Sequence, residues 1–324
     1  MKPLLIFTHL VSFVKQDLDS LKAKPYRFNN SNKAIIFSAI KLFFYLILFR
    51  PKKIYVWFND YHAFLPCLLF PNRVTIFVGG YDAMSIPEIR YGIFFENNIR
   101  SKIAKFNYWA CKKIIFCDKS LIEGFNEYRF NQTGVAWHVN FSILDKSQII
   151  PFGVDTKYFK RLNLGDEYDF IMVANIPDER TLRRKGVDVF VQMAKQMPEY
   201  KFCLVGLKLG MYYYGNVDNL IVYPFMKFHN IRSILSVSKV FCQLSIAEGQ
   251  PNTLLEAMAC ECVPVGTSVN GIPDTIGDTG VVIDNVYKLK GALLKALEMD
   301  GAMARKRVIK EFSMQRRINQ LEKL

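Results

Sequence analysis

The sequence predicts an α/β protein made of two Rossmann-like domains, each a parallel sheet with helices on both faces. Three observations carry this. Short β-branched and aromatic runs alternate with helical patterns along the chain, the arrangement that buries parallel strands between helices. The rhythm stops near 150–161 and then restarts, giving two series. The length, 324 residues, suits two domains of about 100–200 residues each. A composition of 51% hydrophobic and 22% charged residues excludes a disordered or fibrous chain.

The first series has strand candidates at Leu4–Thr8, Lys53–Phe58, Val74–Val78, Lys113–Cys117 and Gln148–Pro151. The apolar start is read as a strand and not as a signal peptide, because Thr8, His9 and Ser12 interrupt it and no small-residue cleavage site follows. The run Ala34–Phe49 is shorter than the roughly 20 apolar residues a membrane span needs, and it carries Lys41 near its middle. Asn30, Ser31 or Asn32 is expected to cap it as a helix, and Arg50-Pro51 to end it. Two readings stay open: a helix facing the domain core, or one that also dips into an anionic bilayer surface. The second series has strands at Asp169–Ala174, Lys201–Val205, Asn219–Val222, Val240–Gln243, Cys262–Gly266 and Gly280–Ile283. Helical patterns fill Gly186–Gln196, His229–Ser236 and Thr253–Cys260, and a basic helix closes the chain from Gly301 to Leu324. The expected domains are 1–150 and 151–300, with 301–324 as the closing helix. Ligands of such sheets bind beyond the carboxyl ends of the strands, here in a cleft between the domains.

Seven cysteines are scattered at 67, 111, 117, 203, 242, 260 and 262, without the spacing of a disulfide framework or a paired zinc site. They read as buried free thiols in a reducing cytoplasm. The net charge of +14 is uneven: residues 1–150 hold 20 Lys and Arg against 10 Asp and Glu. That excess points to an anionic partner, whether nucleic acid, membrane or phosphorylated substrate. The basic residues are dispersed and not interleaved with a stacking platform, which disfavours nucleic acid.

The segment Ala247-Glu-Gly-Gln-Pro-Asn-Thr-Leu-Leu-Glu-Ala-Met-Ala-Cys260 carries the chemistry. Glu248 is placed at a strand end, Gly249 permits close backbone approach, and Pro251 suits a first helical turn. Asn252 and Thr253 open a helix whose free N–H groups form an anion site. Glu256 lies one turn inside it, so the two carboxylates reach different depths of one phosphate-sized pocket. The alternative is a solvated Glu256 and a capping Glu248.

This stretch resembles the E-x7-E element of the retaining glycosyltransferases of family 4, which have the two-domain GT-B fold. Cys262-Val-Pro-Val-Gly-Thr-Ser-Val-Asn-Gly-Ile-Pro-Asp274, Ile150-Pro-Phe-Gly-Val-Asp-Thr-Lys-Tyr-Phe159 and Arg184-Lys-Gly-Val-Asp-Val-Phe190 are similar to further family segments, in the family order. The resemblance implies a GT-B architecture with an acceptor-side first domain, a nucleotide-sugar donor domain and a final helix that crosses back onto the first domain. It implies transfer of a sugar from a nucleotide-diphosphate sugar, such as a UDP- or GDP-sugar, to a hydroxyl of a glycan or lipid-linked glycan in surface polysaccharide synthesis. It implies no cofactor and no metal. Glu248 would contact the transferred sugar, Glu256 the ribose hydroxyls and Lys185 the leaving diphosphate, with Gly249, Asn252 and Thr253 around it. Phe225, after a strand, falls where the family accommodates the nucleobase; core packing is the alternative. A cytoplasmic location, peripheral on the inner face of the membrane, is expected.

There are departures. Ala174-Asn175 stands where the family has Gly-Arg, so Arg180, Arg183 or Arg184 is left to supply that charge. In the first domain, Ser12-Phe13-Val14 replaces a Gly-rich turn, and Phe77-Val-Gly-Gly-Tyr-Asp82 resembles a loop near the acceptor. Gly79 takes the usual His position there, beside Gly80, so no general base is assigned. Asp82 either orients the acceptor or sugar, or closes the loop. His9 and His62 read as structural. The competing function is a non-catalytic scaffold that binds a sugar nucleotide. A pyridoxal-phosphate-dependent GT-B phosphorylase and a nucleic-acid-binding protein rank behind it.

Overall fold

The computed structural model of the chain describes residues 2–125, 128, 132–208 and 217–324. Two compact units form: Met1–Phe125 with Asn131–Phe152 and Arg317–Leu324 make one, and the other is built on Gly153–Arg316.

The first unit contains β1 (Leu4–Phe7), α1 (Ser12–Ser20), β2 (Lys24–Arg27), α2 (Ile35–Phe49), β3 (Ile54–Trp57), α3 (Tyr61–Leu69), β4 (Val74–Val78), α4 (Ile99–Ala110) and β5 (Lys113–Phe116). A small subdomain follows: α5 (Ser120–Glu123), an antiparallel pair of β6 (Gly124–Phe125) and β7 (Gln132–Thr133), and α6 (Val135–His138), before β8 (Ser147–Ile149). The main sheet has the order β2-β1-β3-β4-β5-β8 and is parallel throughout. All residues of β1 and β3 are buried, as the unbroken apolar runs of a sheet covered on both faces require. The five strands expected here form within one or two residues of their expected bounds. The sixth, β2, has no counterpart among the expected strands. Its Lys24-Pro-Tyr-Arg27 stretch has no buried residue and pairs only with β1, the edge position where a proline in a strand is tolerated.

A buried ion pair sits under this sheet. Arg317 donates to both oxygens of Asp17, at 2.8 and 2.7 Å, and to the carbonyls of Ile150 and Pro151. Trp57 Nε1 adds a 3.0 Å bond to Asp17, and the Arg317 guanidinium lies over the Phe152 ring. Helix α2 starts at Ala34 with no side-chain cap, which corrects the expected cap by Asn30, Ser31 or Asn32. The backbone carbonyl of Ser31 serves instead, accepting from the N–H groups of Ala34 and Ile35. As expected, it stops at Arg50, left-handed at φ 41° ahead of Pro51.

The second unit contains β9 (Tyr168–Ile176), α7 (Glu179–Lys185), α8 (Val187–Gln196), β10 (Phe202–Leu207), β11 (Leu220–Pro224), α9 (Phe228–Ser236), β12 (Ser238–Gln243), α10 (Asn252–Ala259), β13 (Val263–Thr267), α11 (Gly271–Ile276), β14 (Val281–Ile283), α12 (Leu289–Leu297) and α13 (Gly301–Glu311). Its parallel sheet runs β11-β10-β9-β12-β13-β14. In chain order this is 3-2-1-4-5-6, so the order reverses between β9 and β12, where a doubly wound sheet opens a crevice. The core between sheet and helices includes Phe170, Phe190, Phe202, Val240, Val265 and Leu293. The closing helix is two helices, α13 and α14 (Met314–Leu321), and not one. Between them the Phe312 carbonyl accepts from the Val154 N–H, and the Met314 N–H donates to the Val154 carbonyl, a strand-like pairing that interrupts the helical ladder.

All seven cysteines are free and buried, as expected. Among the described residues, no helix is long and apolar enough to cross a membrane.

Candidate functional site

The switch point of the second sheet brings together α7, which follows β9, and the segment 244–248, which follows β12. Lys185 Nζ donates to Glu248 Oε1. Ser245 Oγ donates to the same oxygen at 2.8 Å, Gln243 Nε2 reaches it at 3.4 Å, and Arg184 lies 4.0 Å away. Among the described residues every contact falls on Oε1, and Oε2 receives none. Burial alone would raise the Glu248 carboxyl, but Lys185, Arg184 and Ser245 together hold it below the usual range. Burial pulls Lys185 below the ordinary lysine value, with Glu248 opposing. Glu248 lies five residues past the last residue of β12, on a loop and not at the strand end as expected.

Backbone geometry forces this meeting. Gly186 caps α7 in the left-handed region, at φ 73°, and a Cβ there would lie 2.2 Å from the Leu244 carbonyl oxygen. Only glycine lets the end of α7 come this close. The contact is sealed by Ile246 N–H donating to the Arg184 carbonyl and by Arg184 Nη1 donating to the Ala247 carbonyl at 3.0 Å. The Glu248 N–H is fixed by Asn270 Oδ1, and the Gly249 carbonyl by the Gly271 N–H.

Helix α10 begins at Asn252 and Thr253 after Pro251, with no side chain capping it. Glu256 lies one turn in. It is half-buried, and among the described residues no group hydrogen-bonds its carboxylate. Burial pushes its carboxyl up to about 8. Phe225 is 66% exposed, so the core-packing alternative fails. Asn175, next to last in β9, is exposed, as is Arg180, which forms no ion pair among the described residues. Arg183 faces solvent and bonds Glu179 at 2.6 Å. Of the three arginines, only Arg184 reaches the Glu248 cluster.

In the first unit, the candidate residues are placed differently. Asp82 is buried, and its carboxylate accepts from the N–H groups of Gly79, Gly80 and Asn59 at 2.9–3.0 Å. Burial raises it to about 6 against these three bonds. These contacts are the ones a loop-closing aspartate makes. A Cβ on Gly79 would lie 2.2 Å from the Phe58 ring, so Phe58, itself left-handed at φ 65°, occupies the space of a side chain at 79. Ser12 opens α1 and is exposed. His62 is buried with Nε2 2.9 Å from the Trp57 carbonyl oxygen, as a structural histidine should be; His9 is exposed.

Sequence reasoning missed a second polar cluster past the carboxyl ends of β1, β2 and β3. Thr8, His9, Arg27 and the turn 28–31 line a concavity of about 700 Å³. Beside it, Arg100 grips Asp60 with bonds of 3.0 and 2.6 Å, and Asn30 donates to Asp60 at 2.9 Å. Burial would raise Asp60, but Arg100 outweighs it and keeps the carboxylate ionised. The order 2-1-3 of these strands signals the place; nothing in the local sequence singles out Arg100.

Residues 154–312 match the family model "Glycosyl transferases group 1". One component of the phosphatidylinositol N-acetylglucosaminyltransferase of Arabidopsis thaliana is 27% identical over 146 residues, 42% of this chain and 32% of that protein. N-acetyl-alpha-D-glucosaminyl L-malate synthase of Bacillus anthracis is 35% identical over 103 residues, 29% of this chain and 27% of that protein. The matches thus span about a third or less of these curated relatives. Among solved structures, sucrose-phosphate synthase from Thermosynechococcus elongatus superposes with a TM-score of 0.74 at 13% identity, over 100% of this chain and 98% of that one. Anabaena HepE, in complex with UDP, gives 0.73 at 12% identity, over 100% and 99%. The chain therefore has the GT-B fold of the glycosyltransferase structures it superposes on, and residues 154–312 are similar to the glycosyl transferases group 1 domain.

Proposed function

We propose that the chain is a metal-independent, retaining glycosyltransferase that moves a sugar from a nucleotide-diphosphate sugar to a hydroxyl acceptor. The observation that carries this reading is the Lys185–Glu248 pair, with Arg184 beside it, at the sheet's switch point. Glu248 Oε2, which no described group engages, takes hydroxyls of the transferred sugar. The cations and the N–H groups of Asn252 and Thr253 meet the negative charge that grows on the departing diphosphate. Such charge stabilisation lets fixed cations do what a metal ion does elsewhere, and the leaving phosphate accepts the acceptor's proton. Glu256 takes the ribose diol, and the exposed Phe225 offers a face to the base. Gly249 keeps the backbone close to the sugar. Asp82, with Gly79 and Gly80, shapes the acceptor side through the loop it closes.

The names of the Arabidopsis and Bacillus relatives, an N-acetylglucosaminyltransferase to phosphatidylinositol and an N-acetylglucosaminyl malate synthase, support transfer of a sugar to a hydroxyl acceptor. A glycan or lipid-linked glycan of surface polysaccharide synthesis is the acceptor class proposed. To test this, the protein is incubated with UDP-, GDP-, ADP- and CMP-sugars and matched acceptors, with and without a chelator. Nucleotide release and the anomeric configuration of product are then read. Transfer with retention that survives chelation and is lost in Glu248→Gln is expected. Identical zero turnover of wild type and variant across the panel overturns it. Nucleotide binding without transfer would favour the scaffold reading, for which Asn175 and Gly79 speak.

A further inference from the structure

We propose that α2 is a membrane-docking helix that lies in the surface of an anionic bilayer. The inference goes beyond the donor-site reading and does not depend on it.

Helix α2 is apolar on every side, yet only one side is packed. Leu42 and Leu46 are fully buried, with Ile35, Ala39 and Tyr45 partly covered beside them. The opposite side presents Ile36 (73% exposed), Ile40, Phe44 (58%), Ile47 and Leu48 (74%). An all-apolar helix belongs in a core or in lipid, and here half of it has no protein cover. Its one charged residue, Lys41, lies at the edge of the outward side with its ammonium 4.2 Å from the Phe37 ring centroid, stem along the apolar surface and head outward.

Charge decides what covers this face. From residue 20 to residue 59 the chain carries Lys22, Lys24, Arg27, Lys33, Lys41, Arg50, Lys52 and Lys53, and no Asp or Glu. Lys33 stands before the helix and Arg50, Lys52 and Lys53 after it, all exposed. Lys24 reaches the rings of Tyr45 and Phe49, at 5.3 and 5.2 Å, from the neighbouring edge strand. A second copy of this chain would bring eight cations against eight cations. A bilayer with anionic headgroups supplies both the apolar phase and the countercharge. At 15 residues the helix is about 22 Å long, short of the roughly 30 Å hydrocarbon core, so it lies along the interface. In a free amphipathic helix one side is polar; here the unit itself occupies that side.

The test is co-sedimentation of the full chain with phosphatidylcholine vesicles, with and without phosphatidylglycerol. Binding to the anionic vesicles at least tenfold tighter than to the neutral ones, and weakened by salt, is expected. Ile40→Glu/Phe44→Glu and Lys52→Glu/Lys53→Glu should each weaken it about tenfold or more while the melting temperature holds, since all four side chains are exposed. Three outcomes overturn the proposal. The first is wild type that sediments with neither vesicle. The second is an Ile40→Glu/Phe44→Glu protein that binds as tightly as wild type, which would make the attraction electrostatic alone. The third is a dimer, seen by ultracentrifugation, that the same substitutions dissolve without any vesicle binding, which assigns the face to a second copy. None of these readouts involves sugar transfer, so failure here leaves the donor-site reading standing.

Discussion

Glu256→Gln tests whether the buried carboxyl of α10 is held neutral. The side chain has no partner among the described residues, and burial raises its carboxyl from 4.5 to about 8. Between these values the folded protein keeps a proton that the unfolded chain has released. Stability therefore falls as pH rises from 4.5 to about 8 and is flat above, where both states are ionised. A tenfold change in a proton equilibrium is worth about 1.4 kcal/mol, so the full window amounts to about 5 kcal/mol. Partial water access to a half-buried group reduces that to roughly 2–3 kcal/mol. The glutamine variant has no such proton. Urea unfolding of both proteins across the window should show wild type losing about 2–3 kcal/mol relative to the variant as pH rises. Nucleotide calorimetry gives a second reading. Ribose hydroxyls donating to the carboxylate favour its ionised form, so nucleoside diphosphate binding should release a proton and tighten as pH approaches 8 in wild type, and Glu256→Gln should lose that share. Parallel stability profiles of the two proteins would refute the reasoning, because Glu256 would then titrate as a solvated glutamate.

Lys185→Ala leaves Glu248 with only Arg184, at 4.0 Å, as a cation; it should cost about 3–5 kcal/mol, as breaking a buried pair does, and a double-mutant cycle with Glu248→Gln should show strong coupling in chemical denaturation. Gly186→Ala should cost roughly 3 kcal/mol or more and abolish donor turnover, because its Cβ would meet the Leu244 carbonyl. Gly165→Ala is the control: it has a similar φ of 77° and open space around it, so it should lose only the left-handed penalty of about 1–2 kcal/mol and keep its turnover. Arg317→Met alone should lose about 3–5 kcal/mol by stranding the buried Asp17, whereas Asp17→Leu with Arg317→Met should recover most of it; equal losses would refute the pairing.

What could be read from the sequence follows the physics of burial. Central strands such as Leu4–Phe7 and Val263–Thr267 are covered on both faces and announce themselves as apolar runs. The edge strand β2 is exposed, and its Lys24-Pro25 start resembles a loop, because no buried apolar run marks it and its strand character comes from the backbone pairing to β1. The same limit explains α13 and α14: their basic, helix-prone residues run on, but a pairing with Val154, about 160 residues away in sequence, breaks them. At the site, the helix start at 252–253 could be placed from the sequence, whereas Glu248 is expected at a strand end and lies on the loop beyond it. The convergence of Lys185 on Glu248 depends on Gly186 fitting under Leu244, and the space for a side chain at 79 depends on the Phe58 ring. Neither lies in a local motif.

The departure at Asn175 acquires a physical answer in the last turn of α7. Arg183, Arg184 and Lys185 are consecutive, and three like charges in a row gain from the negative end of the helix dipole. Successive residues point about 100° apart, so one of them, Arg183, is spent on Glu179 and solvent. Arg184 and Lys185 turn inward onto the 247–248 segment. The cluster then holds two cations against the Glu248 carboxylate. Because burial keeps Glu256 protonated near neutral pH, the second carboxyl of the motif does not cancel the remaining positive charge. An arginine at the end of β9 would add to that balance. Its absence leaves Arg184 and Lys185 as the cations beside Glu248, and a neutral Glu256 keeps the local charge positive in the unliganded protein.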